Sequence, residues 1–257
     1  MASRIISIVN QKGGVGKTTC CLNIGAGLSN EGRRVLYVDA DPQGNLSTAC
    51  GVQTDGQNTL FEVMRGECTA AESIVKINEH VNIIPADLAL AAADLSLANE
   101  PGKELLIKEA LETVSKNYDY ILIDCPPSLG LMTLASLTAS GEVFVAMSPE
   151  YLPARGLVQL TNTIDIVQKR LNNQVHISGV ILNLYDGRRK LHKEAAAAIE
   201  KQFPTATFHT RIRNSVAVAE APAFHQSIFD YRPSSHGAID FGGLVREILD
   251  MEEASNE

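Results

Sequence analysis

Short apolar runs of strand length recur along the chain, at residues 5–9, 35–38, 81–84, 121–123, 143–147 and 177–182. Stretches with apolar residues at helical spacing separate most of them. Alternating strand and helix signals predict an α/β fold: a three-layer, doubly wound, mainly parallel sheet with helices on both faces, joined by right-handed crossovers. Gly102-Lys103, Pro126-Pro127 and the prolines at 149 and 153 punctuate this pattern, and no linker-like tract or internal repeat divides it. One domain spanning residues 1–257 is therefore expected. Residues 237–251 read as a final helix, and the acidic tail 252–257 is expected to be disordered.

Composition narrows the class. The chain has 257 residues and 45% apolar content, enough for a large core. Aromatic residues make up only 5%, with no Trp, which suits tight helix-on-sheet packing and not a stacking platform for single-stranded nucleic acid. No run is long and apolar enough to span a membrane, and a strand-like segment begins almost at once, so a cytoplasmic protein is expected. Cys20, Cys21, Cys50, Cys68 and Cys125 show no metal-ligand spacing and read as free thiols. The six histidines never pair at ligand spacing either. The formal charge is −8, yet residues 166–213 hold nine Lys/Arg against three Asp/Glu. An anionic partner should meet that segment.

The chemistry starts at Asn10-Gln11-Lys12-Gly13-Gly14-Val15-Gly16-Lys17-Thr18-Thr19, which follows an apolar strand and precedes a helix-competent segment. This is the context of a phosphate loop. Glycines let successive backbone N–H groups turn toward phosphate oxygens, and the helix N-terminus adds partial positive charge. Lys17 would neutralise the β- and γ-phosphates, and Thr18 would offer a hydroxyl to Mg²⁺. Lys12 is a second lysine that the general pattern does not require; at the front of the loop it could reach a partner subunit's phosphates, as an arginine finger does in trans. Asp39 and Asp41 follow the second predicted strand, and Asp124 ends another. Carboxyl ends of parallel strands are where ligands sit, so the three carboxylates should converge on the loop. Asp124 and Asp39 would serve the Mg²⁺ shell, and Asp41 would orient or activate the attacking water.

These residues resemble three motifs of the ParA/Soj branch of the ParA/MinD ATPases. Residues 12–19 are similar to the deviant Walker A motif, Val38-Asp39-Ala40-Asp41-Pro42-Gln43 to its switch motif, and Ile121-Leu122-Ile123-Asp124-Cys125-Pro126-Pro127 to its Walker B strand. The likeness runs from Arg4 to about Leu249. It implies ATP and Mg²⁺ as cofactors, with Gly13, Gly14, Val15, Gly16 and Thr19 completing the nucleotide cradle. It also implies an ATP-dependent homodimer with Lys12 crossing the interface, non-specific binding to nucleoid DNA, and a ParB-like adaptor that stimulates hydrolysis. Cargo would be a chromosome, a plasmid or another assembly. Asn183 stands where the family uses an amide near adenine, and Leu184 replaces the lysine of a guanine-specific Asn-Lys-x-Asp, which favours ATP over GTP. Arg211-Ile212-Arg213 departs from the family's Ile-Pro-Arg, with Arg213 expected near the base. Arg188, Arg189, Lys190, Arg211 and Arg213 would supply DNA phosphate contacts.

Two other readings share the phosphate loop. A MinD-like membrane ATPase should carry a basic amphipathic helix at its C-terminus, whereas the C-terminal segment here reads Asp250-Met251-Glu252-Glu253, so no membrane partner is expected. A small-molecule synthetase or kinase would not need Lys12 together with Asp39 and Asp41. Cys125 adjoins the predicted Mg²⁺ carboxylate, where oxidation would impair the site.

Overall fold

The computed structural model describes residues 3–149 and 154–256; the punctuation expected at Pro153 and the end of the tail at Glu257 lie outside them. Eight strands form one sheet: β1 Arg4–Val9, β2 Val35–Asp39, β3 Val75–Lys76, β4 Val81–Ile84, β5 Tyr120–Asp124, β6 Glu142–Met147, β7 His176–Tyr185 and β8 Thr207–Arg213. Their order is β3-β4-β2-β5-β1-β6-β7-β8. All neighbours run parallel except β3, which is antiparallel to β4. The predicted doubly wound sheet is thus present.

Side-chain alternation splits each central strand between two cores. Val38, Ile123, Val145 and Leu182 face one core, with Leu111, Leu137, Leu160 and Ile199 from the covering helices. Ile6, Ile8, Tyr37 and Leu122 face the other, against the first helix, Lys17–Asn30, and the final helix, His236–Asn256. Strands covered on both sides read as continuous apolar runs, which is why the sequence located them.

Two strands carried no such signal. Two-residue β3 is too short, and β8 reads Thr-Phe-His-Thr-Arg-Ile-Arg because it lies at the sheet margin. The final helix runs beside β8, and Glu247 accepts the amides of His209 and Thr210, both at 2.7 Å. The expected disorder of the tail from residue 252 is corrected here: the helix continues to Asn256. Glu252 accepts the Tyr120 hydroxyl at 2.7 Å and pairs with Arg33 at 3.1 Å, so acidity anchors the end of the helix against the sheet.

Close contact between the first helix and β2 fixes the phosphate loop at its head. Gly25 makes it possible: a Cβ there would lie 2.2 Å from Cε1 of the buried Tyr37, whose hydroxyl is held by the Leu22 carbonyl at 2.6 Å. Gly25→Ala should gain about 1 kcal/mol of helix propensity but lose about 3 kcal/mol to overpacking. Calorimetry should show Tm falling by roughly 4–8 °C; an unchanged Tm would mean the helix can lift off the sheet freely.

Candidate functional site

At the end of β1 the Asn10 side chain donates to the Ala146 carbonyl at 2.6 Å and accepts the Lys12 amide at 2.9 Å, turning the chain out of the sheet. Gly14 and Gly16 then adopt φ of 72° and 87°, the left-handed region that favours glycine. Gly16 is constrained twice, because a Cβ there would lie 2.1 Å from the Asn183 amide nitrogen. The helix starting at Lys17 has no side-chain cap, which leaves its N-terminus to a ligand. Lys17 is buried, with Nζ 3.5 Å from the Lys12 carbonyl, while the Lys12 residue is exposed at the rim.

Strand register supplies the carboxylates. Asp39 and Asp124 are Cα partners at the ends of β2 and β5, and both are fully buried. Thr18 Oγ1 donates to Asp124 Oδ2 at 2.6 Å, whereas Asp124 Oδ1 is buried without a hydrogen-bond partner. Burial pushes the Asp124 carboxyl well above its ordinary range, the Asp39 charge adds to this, and the Thr18 bond and Lys17 oppose it. Burial likewise pushes Asp39 up to about 6, against the bonds it accepts from Ser47 and Asp41. Those bonds are the Ser47 amide at 2.8 Å, the Ser47 hydroxyl at 2.7 Å and the Asp41 amide at 3.2 Å. Asp41 accepts the Gln43 amide at 3.0 Å and borders the cleft.

The cleft measures about 560 Å³ and is bounded by Lys17, Thr18, Asp41, Thr48, Pro127 and Pro222 among others. A magnesium ion fits this donor set. The orphaned Asp124 oxygen and the Thr18 hydroxyl are hard oxygen ligands, and a cation that keeps several waters beside substrate phosphates needs only one or two protein carboxylates. Both Asp39 oxygens already accept protein donors, so Asp39 would act on the cation through its charge and through the segment it anchors.

Other expected residues fall differently. Asn183 is buried; its amide donates to the Val15 carbonyl at 2.8 Å and its oxygen accepts the Leu184 amide at 2.9 Å, so it braces the phosphate loop and is not among the residues bordering the cleft. Arg213 does not border the cleft either: its guanidinium holds Asp240 at 2.6 and 2.8 Å. Arg211 pairs with Glu200 and lies 5.1 Å from the Tyr185 ring centroid. Arg188 and Arg189 pair with Asp186 at 3.0 and 3.7 Å and Lys190 with Glu194 at 3.6 Å, yet their side chains are 91%, 59% and 90% exposed. That exposed group is the stronger candidate for a polyanion. Cys125 is buried and its thiol is pushed up to about 12 by burial, which disfavours the thiolate from which oxidation starts.

Sequence reasoning missed Ser47, which grips Asp39, and Asn10, which turns the loop; polar residues near a motif carry no signal of burial. Asp124→Asn should remove a charge that burial penalises. Melting without metal should give a Tm higher by about a few degrees, while Mg²⁺-dependent ATP hydrolysis falls at least about 100-fold. A lower Tm would show that the carboxylate is not a stored electrostatic cost.

A family model described as AAA domain matches residues 3–177. The chain is 41% identical over 247 residues to the sporulation initiation inhibitor protein Soj of Bacillus subtilis, covering 95% of this chain and 98% of that protein. It is 38% identical over 253 residues to the chromosome partitioning protein ParA of Caulobacter vibrioides, covering 97% and 95%. Among solved structures it is similar to a cobyrinic acid a,c-diamide synthase from Mycobacterium smegmatis with bound ADP and magnesium, with a TM-score of 0.87, 32% identity, and 98% and 96% of the two chains covered. With its buried carboxylate pair beside a lysine-flanked phosphate loop, the chain belongs to the AAA domain family and, within it, to the Soj/ParA group of ATP-dependent partition ATPases.

Proposed function

We propose that the chain couples ATP binding to dimerisation and hydrolysis to release, while the dimer rides on DNA. The observation that carries this reading is the pair of lysines on one loop, Lys17 buried beneath the phosphate site and Lys12 exposed at its rim. Lys17 and the uncapped helix end hold the β- and γ-phosphates of the substrate. Thr18 and Asp124 hold Mg²⁺, which when bound offsets charge on the phosphate oxygens. Asp41, on the turn after β2, accepts a hydrogen bond from the attacking water and aligns it with the γ-phosphorus. Lys12 extends to the γ-phosphate of a second copy, so that the site is complete only between two subunits. Lys12→Ala should then bind nucleotide normally but lose turnover by roughly 10²- to 10³-fold. Asp41→Ala should keep ATP and accumulate as dimer in sedimentation; a monomer with ATP bound would sink the switch.

The exposed basic group Arg188, Arg189 and Lys190, with Lys193 on the same helix, Lys190–Gln202, supports non-specific contact with DNA phosphates. A ParB-like adaptor would stimulate hydrolysis, and the protein would sit on the nucleoid. No helix among the described residues is long and apolar enough to cross a membrane. In filter retention with ATP, affinity for DNA of unrelated sequences should drop roughly 10²-fold between 50 and 200 mM salt if each of these four cations neutralises one phosphate. Arg189→Glu should weaken retention and spare dimerisation, whereas a flat salt response would remove the DNA reading.

The neighbouring synthase structure favours a second reading, a P-loop metabolic enzyme that uses ATP on an organic acceptor. Turnover of ATP by the purified protein with DNA and no organic acceptor separates the two; an absolute requirement for an acceptor would favour the synthase.

A further inference from the structure

His225 stands outside every role assigned so far. It follows the short turn Ala221–Phe224, whose Pro222 and Ala223 form one wall of the nucleotide cleft. Its φ is 55°, and among the described residues only Leu184 shares a positive φ without being glycine. Such a backbone is unfavourable for an L side chain and persists where surrounding contacts hold it. Two main-chain bonds tie the turn, from the His225 amide to the Pro222 carbonyl at 3.0 Å and from the Gln226 amide to the Ala221 carbonyl at 3.2 Å. The side chain then bonds a second segment that borders the cleft: its Nδ1–H donates to the Thr48 carbonyl at 2.8 Å. It also packs on Gly51, where an added Cβ would lie 3.3 Å from His225 Cβ and Cγ.

Thr48 belongs to the helix Asn45–Ala49, which also borders the cleft through Asn45, Thr48 and Ala49. The same helix is bound to the hydrolytic end of the cleft. Ser47 grips Asp39, and the Gly44 amide donates to the Asp41 carbonyl at 2.9 Å. One histidine therefore bridges the turn carrying Pro222 and the segment carrying Asp41.

We propose that His225 is a positioning residue that clasps the Pro222 wall to the helix Asn45–Ala49, so that a nucleotide gripped by one wall also fixes residues 41–48. The binding half of this proposal needs only the cleft; the turnover half rests on the assignment of Asp41 to the attacking water.

Two substitutions test it in the full chain. His225→Gly relieves the left-handed backbone and deletes the clasp. His225→Asn tolerates the same backbone and sets its Nδ2 where the imidazole Nδ1 stands. In the parent protein, ADP should slow amide exchange in residues 45–51 and 221–226 together. In His225→Gly the Tm should hold or rise, yet ADP should protect only 221–226, and its Kd should weaken roughly threefold to tenfold, the scale of one hydrogen bond. His225→Asn should restore both joint protection and affinity. Parent-like joint protection and Kd in His225→Gly would overturn the clasp, as would His225→Asn behaving like His225→Gly. If His225→Gly loses joint protection while kcat for ATP stays unchanged, the clasp stands and the assignment of Asp41 falls.

Discussion

Two carboxylates that cannot comfortably be charged together lie side by side at the centre of this molecule. Parallel register sets Asp39 beside Asp124 at the ends of adjacent strands, both out of contact with water. Desolvation raises both, and the Asp39 charge raises Asp124 further; bonds from Ser47 and the Asp41 amide oppose this on Asp39, and Thr18 and Lys17 oppose it on Asp124. One oxygen of Asp124 is left with no donor. A buried carboxyl pair with one unpartnered oxygen suits a small hard cation, whose charge would offset the cost of ionising both. The phosphate loop, the switch turn and the strand ends are arranged around this pair.

The sequence made the sheet and the phosphate loop legible for one physical reason. Burial on both faces forces continuous apolar runs, and tight phosphate contact forces glycines at fixed spacing, so these constraints act on residue identity directly. Asp39, Asp41 and Asp124 could be placed because strand ends in a parallel sheet point one way. Margins were not legible. β8 needs few apolar residues because Glu247 and Asp240 on the final helix satisfy its amides, at His209, Thr210 and Arg213. The acidic tail resembled disorder because its charge pattern does not reveal that Arg33 and Tyr120 await it.

The same limit applies to roles within the site. Asn183 was expected beside adenine through family likeness, whereas its side chain turns toward the carbonyl of Val15 and fills the space that Gly16 leaves open. Arg211 and Arg213 counted as basic residues, but acidic partners on neighbouring helices engage them, and net charge along a segment does not show which cations are already committed. Exposure separates the group at residues 188–190 from them.

The closed margins of the sheet carry a consequence for behaviour in a crowded cell. On one side β8 is overlain by the final helix and its acidic side chains; on the other, β3 is only two residues long and antiparallel. Neither border offers a row of open main-chain donors long enough to template a foreign strand. A foreign strand meets no backbone template at either border, so contact between copies of this chain falls to side chains.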